Sequence, residues 1–181
     1  MTELQHLLSM ANNAIDNYVI PGVTSYLIGN NNKVRLFHCT RNHTEYVVPH
    51  SHRFDFTARV LQGYVTNCIY RENKHNEADT YQVSSLVYGG KPGIYNVIPG
   101  GVKGYVIYSD NYHYDETYSM KFNEIHSISF RKDTYVLIYE GPDKTDTTQI
   151  LQPYVNGEVI PTFKIEPWMF RRRNEQDKDI F

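Results

Sequence analysis

Two histidines separated by a single residue, His50 and His52, begin an apolar run that ends at Gly63. Residues two apart on a β-strand point to the same side of the sheet, so the two imidazoles are expected to project side by side. The residues that follow on their face are Phe54, Phe56, Ala58 and Val60. Two imidazoles at the open end of an apolar face supply two of the protein ligands that a catalytic transition-metal site needs.

The most suitable third ligand is His126, one of eight histidines in the chain. It follows a turn at Asn123-Glu124 and opens a second apolar strand, with Ile128 and Phe130 on its own face. This repeats the design of the first site, in which a histidine at the mouth of a strand has apolar residues behind it. A single histidine in such a position is more often part of a core, and it is the pair that favours a three-histidine metal site.

A fourth ligand could come from Asp55, the carboxylate that lies next to the pair in the sequence. Strict alternation turns Asp55 to the opposite face, beside Arg53 and Arg59, unless a β-bulge redirects it. The alternative for Asp55 is therefore a salt-bridged or hydrogen-bonded position beside the site. Arg59, on the same outer face, is a candidate for the recognition of a substrate carboxylate.

These side chains need a scaffold, and the remaining sequence predicts strands preceded by one helix. A capping box that starts at Thr2, followed by apolar residues at helical spacing, predicts an amphipathic helix over residues 3 to 17, packed on the barrel or forming a dimer contact. From Val23 onward, short runs separated by turn residues recur roughly every 8 to 12 residues, which indicates an all-β sandwich or barrel. The run 64–70 is interpreted as the hairpin partner of the strand that ends at Gly63.

The domain organisation that follows is a helical segment over residues 1–20, a barrel over 23–170 and a charged tail over 171–181. A last hairpin is predicted at Asn156-Gly157, which has type I′ turn chemistry.

The charge, hydrophobicity and cysteine content of the chain limit the classes of partner that it is expected to have. The 181 residues carry a formal net charge of −2 without a strongly basic stretch that dominates the chain, so a nucleic-acid partner is not expected. No apolar run approaches the length of about 18 residues that a membrane span needs, so no membrane partner is expected. The two cysteines, Cys39 and Cys68, are too few and too far apart to demand a disulfide, which favours a cytoplasmic location. The expected partner is a small-molecule substrate.

The motifs resemble those of the cupin superfamily. Its first motif is a His-x-His pair, then a glutamate and then a glycine, and His50, His52 and Gly63 match it. Its second motif places a histidine after a turn, and His126 matches that place. The stretch 34–170 is also similar to a group of small bacterial and phage cupins. The resemblance implies a double-stranded β-helix, or jelly roll, and a homodimer formed through edge strands.

The sequence departs from the first cupin motif at the glutamate, whose position is taken by Phe56 or Thr57. Loss of the carboxylate leaves a neutral three-histidine site, similar to that of the cysteine-dioxygenase-like and diketone-dioxygenase branches. By resemblance, this favours Fe(II) and O₂ chemistry on a small polar substrate that chelates the metal. Zinc, nickel and manganese are alternative metals, since imidazole suits several of them.

Two other functions stay open from the sequence. One is a small-ligand or sugar-binding cupin without enzymatic activity, in which the metal is structural or absent. The other is a metal-dependent sugar isomerase or epimerase. If the protein is an enzyme, a tyrosine near the metal could donate a proton. The candidates on predicted strands are Tyr46, Tyr64, Tyr105, Tyr118 and Tyr135.

Overall fold

The computed structural model describes residues 1–16, 22–41, 48–74, 78–88 and 95–160. Within these ranges it contains one helix, α1 (Glu3–Ser9), and the following strands: β1 (Ala11–Ile15), β2 (Val23–Ile28), β3 (Asn31–Cys39), β4 (Phe54–Gln62), β5 (Val65–Glu72), β6 (Asp79–Tyr88), β7 (Tyr95–Tyr112), β8 (Thr117–Met120), β9 (Ile125–Phe130), β10 (Thr134–Asp143), β11 (Thr147–Val155) and β12 (Glu158–Val159). No helix in these ranges is long and apolar enough to cross a membrane. Tyr46 and the predicted tail lie outside the described residues.

The strands form two antiparallel sheets, ordered β1-β2-β3-β10-β4-β8 and β12-β11-β6-β7-β5-β9. The short stretch Val48–His52, here called the histidine segment, joins the second sheet, because His50 forms a bridge with His126 of β9. With β6 set aside as an insertion between β5 and β7, eight strands follow one another in chain order: β3, the histidine segment, β4, β5, β7, β8, β9 and β10. The first sheet then contains strands one, eight, three and six, and the second contains strands two, seven, four and five. This order is a jelly roll.

The main core lies between the two sheets. It is built from the inward faces of β4, β5, β9 and β10, and its fully buried residues include Ala58, Val60, Val65 and Val136. Helix α1 covers the outer face of the first sheet, where Leu7 packs with Leu36 and Leu137. The predicted single strand from His50 to Gly63 is wrong, because β4 begins at Phe54 in the first sheet whereas the histidine segment joins the second. Within β4 the predicted alternation is present, since Phe56, Ala58 and Val60 are buried whereas Thr57 is exposed.

A second, smaller core lies on the outer side of the second sheet. β6 pairs with β7, β11 pairs with β6, and β11 returns to the histidine segment, so that six strand segments close into a ring. Apolar and aromatic side chains fill this ring, namely Tyr81, Val83, Tyr105, Ile125 and Leu151. The closure places the histidine segment inside a sheet rather than in an open loop.

The predicted helix over residues 3 to 17 is wrong beyond Ser9. Residues Ala11–Ile15 form β1, in which Ala11 pairs with Ile28 of β2. Ala11 and Ile15 are four residues apart, and such residues share a face on a helix and on a strand alike. The apolar spacing therefore could not separate the two structures.

The predicted hairpin between the strand ending at Gly63 and the run 64–70 is also wrong. β4 pairs with β10 and β8, whereas β5 pairs with β7 and β9 in the other sheet. Gly63, with φ of +84°, turns the chain from one sheet to the other. The hairpin predicted at Asn156-Gly157 is confirmed, because both residues have positive φ and Tyr154 pairs with Val159.

We predict that Gly63→Ala destabilises the protein more than Gly157→Ala. Both glycines have φ near +85°, at +84° and +88°, but a Cβ on Gly63 would lie 2.8 Å from the Thr134 Cα, whereas nothing lies within 4 Å of a Cβ on Gly157. Backbone strain alone costs about 1–2 kcal/mol, and the steric overlap adds about 1–3 kcal/mol. Urea unfolding of the two variants measures the difference. Equal losses would show that the approach to Thr134 contributes nothing.

Candidate metal centre

The histidine segment is hydrogen-bonded along both of its edges. On one side, the amide of His50 donates to the carbonyl of His126 at 2.9 Å, and the amide of His126 donates back at 3.0 Å. On the other side, the amide of Ser51 donates to the Gln149 carbonyl and that of Leu151 to the Pro49 carbonyl, both at 2.9 Å. These bonds place His50 directly opposite His126, although 76 positions separate them in the sequence.

His52 enters the same space from the end of the segment. Its amide donates to the Phe122 carbonyl at 3.1 Å, in the turn before β9. Its ring packs edge-on against Phe56, with ring centroids 4.8 Å apart, and at 5.7 Å from Phe54. The three imidazoles thus meet at the end of the main core, with aromatic side chains behind them.

One ligating nitrogen from each of His50, His52 and His126 lies within 4.8 Å of the other two. His52 Nε2 and His126 Nε2 are 2.8 Å apart. Two nitrogens that each lie about 2.1 Å from one ion, at a right angle, are separated by about 3 Å. The group could therefore hold a divalent metal ion, as the sequence predicted.

Hydrogen bonds fix which nitrogen points inward. His50 Nδ1 lies 2.7 Å from the Val48 carbonyl, which can only accept, so this nitrogen carries the proton. His126 Nδ1 lies 2.6 Å from Asn67 Oδ1 and donates in the same way. A neutral imidazole has one proton, so the Nε2 atoms of both rings present lone pairs. This is the arrangement found around metal-ligating histidines.

The surroundings keep the imidazoles neutral. Burial is the main cause that lowers the pKa of all three, and that of His52 falls well below its usual value through burial and then repulsion from His50 and His126. His126 is only 3% exposed. Neutral imidazole is the form that binds metal, so no proton has to leave these rings at neutral pH.

The eight strands thus form a jelly roll with two histidines on its second strand and one on its seventh, gathered at one end of the core. The chain has the cupin fold. The corresponding expectation from the sequence is confirmed, and within the described residues one helix, shorter than predicted, precedes the strands.

No family model and no curated protein matches the sequence. Among solved structures, the chain is similar to the cupin domain of CENP-C from Drosophila melanogaster, with 8% identity and a TM-score of 0.37 over 67% of this chain and 71% of that one. KdgF from Halomonas sp. shares 12% identity with a TM-score of 0.38, over 74% and 89%. A recombinant oxalate oxidase in complex with glycolate shares 14% with a TM-score of 0.33, over 70% and 45%. At these identities the function has to be argued from the site.

Asp55 is not brought into the histidine group. Its Oδ1 accepts from the Phe122 amide at 2.8 Å, and its Oδ2 accepts from Lys144 Nζ at 2.6 Å. These two bonds, that from Lys144 first, lower the pKa of the carboxyl. Asp55 therefore takes the salt-bridged alternative and ties down Phe122, whose carbonyl holds the amide of His52.

Arg59 lies on the outer face of β4, away from the three histidines. Its guanidinium binds the carboxylates of Asp115 and Glu3, at 2.8 and 3.0 Å. Helix α1 is thereby fastened to the sheet. Both partners are carboxylates of this chain, and the role of Arg59 in recognising a substrate stays a prediction.

Sequence reasoning missed Asn67, whose side chain holds His126. A signal was available, because alternation along β5 puts Asn67 on the inward face between Val65 and Ile69. An amide on an apolar face needs a buried partner, and this requirement could have pointed to a histidine.

We predict that Asp55→Asn leaves metal binding intact. The amide oxygen of asparagine still accepts from the Phe122 amide, and the three histidines keep their places. Cobalt(II) titration should therefore give the wild-type stoichiometry, whereas His126→Ala, as the control, should lose binding. Loss of the ion from Asp55→Asn alone would mean that the carboxylate is a ligand.

Proposed function

We propose that this cupin is an Fe(II)-dependent dioxygenase that acts on a small polar substrate able to chelate the metal. The observation that carries the proposal is the pair of Nε2 atoms of His52 and His126, 2.8 Å apart. Asn67 keeps the proton of His126 on Nδ1, so His126 Nε2 presents a lone pair towards His52 Nε2. In the metal-free protein an Nε2–H of His52 can donate to this lone pair, and a metal ion bound by both nitrogens would replace that proton.

The number of protein ligands, three, favours a catalytic metal ion over a structural one. Structural zinc sites are closed by four protein ligands, whereas catalytic sites keep positions open. Three histidines leave about three positions of an octahedral ion free, enough for a bidentate substrate and O₂. When bound, the iron would supply O₂ activation and polarise the substrate.

The protein's own residues would exclude water and position the substrate. Phe54 and Phe56 stand against His52 and give the site an apolar wall. Of the candidate tyrosines within the described ranges, Tyr118 packs in the same core, with its ring 6.2 Å from that of Phe56. Burial and then the neighbouring Tyr112 raise the pKa of Tyr118. It therefore remains a phenol and can serve as a hydrogen-bond donor.

We predict that the purified protein contains iron, and that His50→Ala, His52→Ala and His126→Ala each lose it. Removing a ligand should weaken metal binding by at least about 100-fold, more than the loss of a supporting residue. Elemental analysis measures the content. His38→Ala is the matched control, because His38 stacks on Tyr135 at 4.2 Å and is not part of the group. Unchanged metal content in the three variants would reject the site.

We also predict that the iron-loaded protein consumes O₂ when a chelating thiol, diketone or amino acid is added. An oxygen electrode records the uptake, and the His52→Ala protein provides the background rate. Iron binding without uptake for any of these compounds would reject the dioxygenase and favour a cupin that binds a small ligand without turnover.

A further inference from the structure

We propose that Asn67 is a positioning residue that makes His126 a neutral Nε2 ligand and leaves the charge of a bound metal uncompensated, so that the site takes an anionic chelating ligand. The inference rests on the metal centre of the proposed function and names the class of ligand which that centre accepts.

Asn67 has one strong hydrogen-bond partner. It is 1% exposed and lies on the inward face of β5. Its Oδ1 accepts from His126 Nδ1 at 2.6 Å, while its Nδ2 faces Met120 Sδ at 3.6 Å. Sulfur is a weak acceptor, so the orientation of the amide is decided by the histidine. Burial of an amide without a hydrogen-bond partner costs free energy, and the bond to His126 offsets this cost for the side chain of Asn67.

The chemical type of this partner matters. A carboxylate in the same position would also accept from Nδ1, but it would bring a negative charge next to the metal and make the imidazole more basic. An amide accepts without charge. Asn67 therefore fixes the tautomer of His126 and adds nothing to the charge of the site.

The described carboxylates near the site are bound by cations of the chain, and the second imidazole partner is neutral. The partner of His50 Nδ1 is the Val48 carbonyl, which is neutral. Asp55 is paired with Lys144, and neither belongs to the histidine group. Glu140 lies opposite Phe56 in the sheet, and its carboxylate is 3.3 Å from the guanidinium of Arg35. Among the described residues, each carboxylate near the site is thus balanced by a cation of the chain.

A divalent ion bound to three neutral imidazoles keeps both of its charges. The walls of the site are the aromatic rings of Phe54 and Phe56, which cannot balance them. A buried charge is costly unless it is paired. An incoming ligand that carries negative charge on its donor atoms provides that pairing, whereas a neutral ligand of the same shape does not. The site therefore selects anions that chelate.

The experiment loads the full chain with Co(II), whose absorption spectrum reports ligand geometry, and titrates it with malonate and with its neutral diamide, malonamide. Asn67→Leu removes the acceptor, and Asn67→Asp keeps the acceptor and adds a charge. Asn111→Asp is the matched control, because Asn111 accepts from Thr66 on an exposed part of β7 and gains the same charge away from the site. Thermal unfolding confirms that each variant is folded.

Asn67→Leu should weaken Co(II) binding by about 10- to 100-fold and alter the spectrum, whereas Asn67→Asp should bind Co(II) at least as tightly as the wild type. On Asn67→Asp the affinity for malonate should fall by about tenfold or more, with malonamide changed by less than about twofold. Asn111→Asp should behave as the wild type in both titrations.

Three outcomes would overturn the inference. Asn67→Leu could bind Co(II) with wild-type affinity and spectrum, Asn67→Asp could bind malonate as tightly as the wild type, or Asn111→Asp could lose as much malonate affinity as Asn67→Asp. In each of these the proposed metal centre survives. If the wild-type protein binds no Co(II) at all, the proposed function and this inference both fail.

Discussion

The structure depends on the two reciprocal hydrogen bonds between the backbones of His50 and His126. They join the second strand of the jelly roll to the seventh and place imidazoles from distant parts of the chain side by side. Two of the candidate ligands are thus positioned by the main chain itself. Since β11 holds the opposite edge of the histidine segment, the segment lies between two strands and has little freedom to shift.

The ring of six strand segments, formed by β5, β6, β7, β9 and β11 with the histidine segment, explains why this short stretch can carry a site. A stretch of five residues with a strand on one side only would be an edge, and edge strands fray and pair with other chains. Here the second core, around Tyr81, Tyr105 and Leu151, closes the far side. β11, which lies outside the eight strands of the jelly roll, therefore serves the site, because it gives the histidine segment its second neighbour.

The electrostatics of the site follow from its depth. Burial disfavours the charged form of all three imidazoles, and the acceptors for Nδ1 of His50 and His126 are a backbone carbonyl and an amide. The described carboxylates nearby are bound by cations, Asp55 by Lys144 and Lys121 and Glu140 by Arg35. The chain thus combines a neutral ligand set with described carboxylates that are already bound by cations, so in the proposed mechanism the entering ligand supplies the negative charge that balances the metal.

The sequence by itself determined the local features of this protein. Alternation predicted the shared face of His50 and His52 and the outward face of Arg59. The turn at Asn123-Glu124 predicted that His126 lies at the start of a strand, which is β9. The residue types of Asn156-Gly157 predicted a turn with positive φ. The all-β class and, through the cupin motifs, the jelly roll were also accessible. Each of these depends on periodicities and turn chemistry that act within a few residues.

Only the tertiary structure decided the pairings. In the structure β4 and β5 lie in different sheets, and residues 11–15 form β1 rather than the predicted helix. Asn67 is hydrogen-bonded to His126, and Asp55 to Lys144. The physical reason is that a strand's side-chain pattern fixes which face is buried but not which strand lies beside it. Hydrogen-bonding edges are alike along every strand, and the choice among them is made by the packing of the whole chain.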